Sequence, residues 1–377
     1  MIETPNAFWA VVFFALAISP LVFIHELGHY LAGRVFGVKA DVFSIGFGRA
    51  VAGWHDKRGT RWQIGWLPMG GYVRFAGDMN AASAPDPDWL SLPADERNRT
   101  FQAKPVWQRA LIVLAGPLTN FAFAILAIIA VFAVVGEQRT PPVVGAVARG
   151  SAAERAGLRA GDRIAAIDGD SIRRFEDIAL FVQTRSGERL TLSVERGGRP
   201  LRIEAMPDLE ILRDRFGGEE HIGRMGISSG RPILVKLGAT ELPGAAMRFT
   251  ASSVGTMADL LKRVSLGQQS IKLLGGPVKM ATMSAEVATL KPIAFLFFMA
   301  MISINLGFIN LLPIPMLDGG HLALYAIEAA RRRPVDARAQ EWAFRSGLVA
   351  LLAFMAVVTV NDLAGLGLWN RLAGLIG

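Results

Sequence analysis

The chain has 377 residues, 52% of them hydrophobic, and a formal net charge of +8 at pH 7. It contains no cysteine, which excludes a disulfide framework and a thiolate zinc site, so any metal must be held by His and carboxylate. No aromatic-basic interleaving accompanies the positive charge; this argues against a nucleic-acid partner and for Arg and Lys set against an anionic lipid bilayer.

No charged side chain lies between Pro5 and Ile24, a stretch that can cross most of a bilayer, with Pro20 expected to kink it. The N-terminus has neither a basic n-region nor a small-residue cleavage site, so this span is expected to be retained. It runs into His25-Glu26-Leu27-Gly28-His29. An ionisable residue at membrane depth costs about 2.5–3.5 kcal/mol on insertion scales, so three together need a reason. On a helix, positions i and i+4 share a face, so His25 and His29 can grip one zinc ion with Glu26 beside it as general base. The competing reading is a chance match to a short motif, and the membrane setting argues against it.

Between the first two spans, Arg61–Phe75 is aromatic and β-prone, and is expected to turn at Gly70-Gly71 as a hairpin. It is expected to dip into the membrane beside the zinc and clamp a substrate as an added strand, with Ile64, Trp66 and Leu67 as contacts. An ordinary cytoplasmic hairpin is the alternative. The second span is the uncharged run 110–136, which contains Gly116-Pro117-Leu118-Thr119-Asn120.

Val143-Val144-Gly145-Ala146-Val147 then reads as a strand, followed by Ala156-Gly157-Leu158 and Gly161-Asp162-Arg163-Ile164, a helix near 175–184 and further strands near 190–195 and 201–206. The motif A-G-L-x-x-G-D-x-I closely resembles a PDZ domain of the bacterial protease type. By that resemblance, a peptide or trimmed substrate end would bind between Val143, Val144, Gly145, Ala146, Val147 and the helix bearing Ile178, Phe181 and Val182. Leu260–Lys262 and Gln268–Leu274 could belong to amphipathic helices on the outer membrane surface.

The third span, Pro292 to Leu317, must break near Pro313 and Pro315. Asp318 is the sole carboxylate between Lys291 and Glu328, and an Asp there is costly unless it is paired or holds metal. It is preferred as third zinc ligand over His321, which would then support the site or pack between helices; His55 and His221 lie in polar sequence. The fourth span is roughly Trp342 to Asn361, with Arg345 snorkelling. Short-loop cations at Arg34, Lys39, Arg49, Arg97, Arg99, Lys104, Arg109 and Arg331, Arg332, Arg333, Arg338 place those loops inside the cytoplasm, and hence both termini and the PDZ domain outside it.

His25-Glu26-Leu27-Gly28-His29 in a first span, Asn310-x-x-Pro313-x-x-x-x-Asp318-Gly319 in a third and a PDZ domain between the second and third resemble the site-2 protease family. The similarity is greatest to the bacterial branch that cleaves anti-sigma factors, the regulator-of-sigma-E type. That resemblance implies Zn2+ held by His25, His29 and Asp318, with Glu26 as general base. It also implies that Asn120, in a G-P-x-x-N motif, and Asn310 line the substrate site, and that the hairpin is membrane-re-entrant. The implied substrates are single-span proteins of the bacterial inner membrane, such as anti-sigma factors already cut on the outer side. The familiar envelope-stress member carries two PDZ domains, whereas this chain shows one.

The expected fold class is an α-helical polytopic membrane protein of about four spans with a re-entrant β-hairpin and an inserted α+β PDZ domain. The expected division is 1–33 (first span), 34–106 (loop with hairpin), 107–136 (second span), 137–207 (PDZ domain), 208–291 (linker with amphipathic helices), 292–341 (third span and loop) and 342–377 (fourth span and tail). A non-proteolytic PDZ adaptor with structural zinc and a metal transporter are the competing functions.

Overall fold

The computed structural model describes residues 7–78, 87–172, 174–183, 185–213, 219–266, 276–333 and 335–365. It divides into two compact units: Met1–Val131, Ala246–Lys262 and Gln269–Gly377 form one, Phe132–Ala245 and Arg263–Gln268 the other.

The first unit opens with α1 (Ala7–Val35), β1 (Ala40–His55), β2 (Arg61–Phe75), the short α2 (Ala94–Arg97) and α3 (Val106–Val134). The first half of β1 lies between two halves of β2, since Phe43 is opposite both Val73 and Trp62. The bends that allow this fall at Gly46, Gly48 and Gly70, whose φ values of 84°, 85° and 94° only glycine adopts readily. Gly70-Gly71 is therefore a bend within a strand and not the expected hairpin turn. The chain reverses at 56–60, where Asp56 N–H donates to Thr60 O at 3.0 Å and Gly59 N–H to Asp56 O at 3.0 Å. The Asp56 carboxylate accepts from Thr60 N–H (2.9 Å), Arg58 N–H (2.8 Å), Trp62 Nε1–H (3.3 Å) and Tyr30 Oη–H (3.0 Å), and pairs with Arg34 at 3.3 Å. Burial pushes this carboxyl up, but the donors win and hold it at about 2. The tip is thus tied back to α1, over a core of Tyr30, Val38, Phe43, Val73, Phe75 and Phe101.

The second unit contains β3 (Glu137–Arg139), β4 (Val144–Val147), α4 (Ala152–Arg155), β5 (Arg163–Ile167), β6 (Asp170–Ser171), α5 (Phe175–Gln183), β7 (Leu190–Arg196), β8 (Arg199–Ala205), β9 (Asp208–Arg213), β10 (Glu219–Arg224), β11 (Ile227–Ser229) and β12 (Ile233–Val235). An antiparallel sheet runs in the order β6-β5-β7-β8. Leu190, Leu192 and Val194 alternate inward from β7, as the two-residue period of a strand requires, onto Ile164, Ile167, Ile178 and Val182. In the A-G-L-x-x-G-D motif, Asp162 is 1% exposed and meets Arg196 at 2.7 Å. Residues 208–235 are not the expected linker: β9 pairs with β10, β11 with β4 and β12 with β3.

The chain continues with α6 (Leu242–Ser265), α7 (Pro277–Ala288), α8 (Pro292–Leu311), α9 (Asp318–Arg331) and α10 (Ala337–Gly365). Leu260–Lys262 fall on α6, and 268–274 lie outside the described residues. Helix α7 is no surface helix, because its Met280 packs on Ala17 and Leu21 of α1 and Ile302 of α8. Its first turn is capped by the Asp362 carboxylate, which accepts from Gly276 N–H at 3.2 Å and Lys279 N–H at 2.9 Å. Among the described residues, four helices are long and apolar enough to cross a membrane: Phe8–Val35, Val106–Val134, Pro292–Leu311 and Arg338–Val360. Their outer faces expose Phe8, Leu126 and Val349 at 67%, 66% and 68%, surface suited to lipid and not to water. The protein is a multi-pass helical membrane protein.

Candidate metal centre

His25 and His29 stand one turn apart on α1, and Asp318 is the first residue of α9, just beyond the break at Pro313 and Pro315. The donor atoms converge. His25 Nε2 lies 3.1 Å and His29 Nε2 3.5 Å from Asp318 Oδ2, and the two Nε2 atoms are 3.2 Å apart. Tetrahedral bonds of about 2.0–2.2 Å place neighbouring ligand atoms roughly 3.3 Å apart, so the trio fits a zinc ion. Asp318 Oδ2 is also buried without a hydrogen-bond partner, which is costly unless a cation shares the site.

Helix α3 shapes the back of this group. Ile112, Gly116 and Asn120 recur every four residues and so share one face. His29 Nδ1–H donates to Ile112 O at 2.9 Å, and Asn120 Nδ2 is 3.1 Å from His25 Nδ1. Between them, a Cβ on Gly116 would stand 2.2 Å from His29 Nε2 and 2.9 Å from His25 Cε1, so only glycine fits.

Glu26 projects into a cavity of about 400 Å3, together with His25, His29, Asp318 and Asn310. Its Oε2 accepts from Val73 N–H at 3.0 Å, fixing the carboxylate to the edge of β2. The hairpin residues lining the cavity are Phe47, Gly70, Gly71, Tyr72, Val73 and Phe75; Ile64, Trp66 and Leu67 are not among them, and Trp66 is 64% exposed. Asn120 is fully buried behind His25 and does not line the cavity either. His321 lines it without joining the ligand trio, its ring centroid 4.8 Å from that of Phe344. His55 pairs with Arg61 near the hairpin turn, away from the centre. Val73 and Ile112 act through backbone atoms, which no side-chain motif signals.

In the second unit a separate groove of about 800 Å3 runs between α5 and the residues leading into β11. Ala146, Val147, Ile178 and Val182 line it, whereas Val143, Val144, Gly145 and Phe181 are not among its lining residues. β4 cannot take a peptide strand, because β11 occupies one edge while Val144 N–H donates to Asp162 O (2.8 Å) and Gly161 N–H to Val144 O (2.8 Å) on the other. The strand facing α5 across the groove is β11, entered through Gly223, Arg224, Met225 and Gly226.

The profile described as Peptidase family M50 matches residues 13–354. A protein of Agrobacterium fabrum named "Putative zinc metalloprotease Atu1380" is 41% identical over 94% of this chain and 96% of its own length. The "Metalloprotease MmpA" of Caulobacter vibrioides is 38% identical over 95% of this chain and 96% of its own. Among solved structures, the PDZ domain of the SdrC-like protein from Listeria innocua is 21% identical, covering 24% of this chain and 94% of that one with a TM-score of 0.19; the PDZ reading stands on the unit's own motif and strand pairing. The chain belongs to Peptidase family M50, the site-2 proteases, and is a membrane-embedded zinc metalloprotease.

Proposed function

We propose that this protease cleaves single-span membrane proteins within their membrane segment, acting on anti-sigma factors or similar proteins after a first cut outside the cytoplasm. It would lie in a bacterial inner membrane, with both termini and the PDZ-type unit outside the cytoplasm. The observation that carries the reading is the 3.0 Å bond from Val73 N–H to Glu26, which brings the candidate base and a strand edge into the cavity of the metal ligands.

His25, His29 and Asp318 would hold the zinc, and three protein ligands leave a position open, as a catalytic site needs and a closed structural site does not. When bound, zinc supplies Lewis acidity, polarising a carbonyl and making water acidic near neutral pH. Glu26 would take a proton from the attacking water on a carboxylate oxygen and return it to the leaving nitrogen. A substrate helix shields its own carbonyls, so it must be unwound and held extended. The 71–75 segment is the outer edge of the hairpin sheet, and with Val73 N–H held by Glu26 its remaining outward backbone groups would pair with an extended segment as a further strand, in a cavity that Asn310 also lines. This edge, within a hairpin re-entering the membrane, takes the role first expected of Ile64, Trp66 and Leu67. In the second unit, the α5–β11 groove would receive the trimmed end of a substrate.

The chain lacks cysteine, so a Tyr72→Cys variant carries a single thiol. Substrates with single cysteines along their span should crosslink to Tyr72→Cys, whose side chain is half-buried and lines the cavity, next to the mapped cleavage site, and not to Trp66→Cys. Crosslinking at Trp66 alone would move the substrate path off the cavity.

A further inference from the structure

We infer that Asn120 is a positioning residue that presents its side-chain carbonyl to His25 and thereby sets which ring nitrogen faces the metal; this rests on the metal reading above. His29 is settled by geometry: its Nδ1 faces the Ile112 carbonyl at 2.9 Å, which can only accept, so the proton is on Nδ1 and the Nε2 lone pair points at Asp318 and His25. His25 must adopt the same tautomer to share a cation through Nε2, so its Nδ1–H needs an acceptor. The group at hand is Asn120, whose Nδ2 is 3.1 Å away.

Nitrogen and oxygen of a primary amide exchange places by a half-turn about one bond, with no change in the shape of the side chain. Asn120 Oδ1 is buried without a hydrogen-bond partner, and the side chain is 0% exposed, so no solvent can replace it. Turning the amide over supplies the acceptor. The α3 backbone is itself held in place, because Ser303 Oγ–H donates to Asn120 O at 2.8 Å from α8. One face of α3 thus serves both histidines, through a backbone carbonyl for His29 and a side-chain carbonyl for His25.

The test is zinc affinity of the full-length chain in detergent, by chelator competition, for wild type, Asn120→Asp and Asn120→Leu. Asp retains an acceptor and loses the donor, whereas Leu loses both. Asp should bind zinc as wild type does, while Leu should weaken binding by about 10–100-fold. Thermal unfolding of the metal-free chains checks folding. The visible spectrum of the Co2+-loaded protein provides a second readout, expected to match between wild type and Asp even if Leu does not fold. Leu binding like wild type would overturn the role; Asp as weak as Leu, or an altered Co2+ spectrum in Asp, would overturn the acceptor assignment. A wild-type chain that takes up no zinc would instead overturn the metal reading.

Discussion

Gly116→Ala tests how closely α3 is moulded to the metal ligands. The added methyl would sit 2.2 Å from His29 Nε2, whereas ordinary contact begins at 3.4 Å, so that nitrogen must retreat by about 1.2 Å. Metal sites tolerate about 0.2 Å in ligand distance. The ring cannot swing freely, since its Nδ1 is bonded to Ile112 O at 2.9 Å. Structural zinc sites gain about 10–16 kcal/mol from four ligands, so losing one costs roughly 3 kcal/mol, or about 100-fold in affinity. The fold should survive, because overpacking costs about 1–3 kcal/mol while Gly→Ala inside a helix returns about 1 kcal/mol. Zinc titration against a chromophoric chelator, with thermal unfolding of the metal-free protein, measures both. Gly255→Ala on α6 is the control, as a Cβ there meets nothing within 4 Å. Wild-type zinc affinity in Gly116→Ala, with the fold intact, would refute the reasoning.

Other perturbations probe the hairpin and the second unit. Asp56→Ala removes the acceptor that ties the hairpin tip to Tyr30 and Arg34; hydrogen exchange at 56–65 should speed up and cleavage should fall while zinc affinity holds. The bonds from Arg196 to Asp162, aided by Arg159 N–H and opposed by burial, hold this carboxyl below the usual carboxylate range. Its stabilising effect is therefore complete above the unfolded value of about 3.9 and fades as pH falls through the lower folded value. Asp162→Asn should lower the stability of the second unit at neutral pH and reduce its loss of stability below about pH 4, as read by melts across that range. Gly145→Ala places a Cβ 2.1 Å from Ser229 O, so it should force β11 from β4 and weaken peptide capture in the groove without changing zinc content.

Much of this arrangement was legible in the sequence, for identifiable reasons. Long uncharged runs report membrane helices directly, and His25 and His29 are one turn apart whatever surrounds them. Asp318 was legible because a lone carboxylate after an apolar span has few other uses. Features that depend on distant strand pairing were not. Gly70-Gly71 has the composition of a turn but is held straight enough to stay in β2 by its partner Ile45, while Asp56 closes the real turn with its own side chain. The PDZ resemblance points to β4 as the edge of the groove, whereas β11, which lies across it from α5, comes some 80 residues later and has only three residues, Ile227–Ser229, too short for a sequence pattern to signal. The G-P-x-x-N resemblance implies that Asn120 lines the substrate site, but such a motif shows a polar residue in a span and not which way it faces.

The central claim is that Glu26 moves the proton at a metal site held by His25, His29 and Asp318. The most direct measurement is turnover and zinc content of wild type and Glu26→Gln, each reconstituted in vesicles with a tagged single-span substrate. The predicted result is equal zinc in both, cleavage within the span by wild type, and a loss of about 10²–10⁴-fold in Glu26→Gln. Glu26→Gln that retains zinc and cuts as fast as wild type would contradict the account.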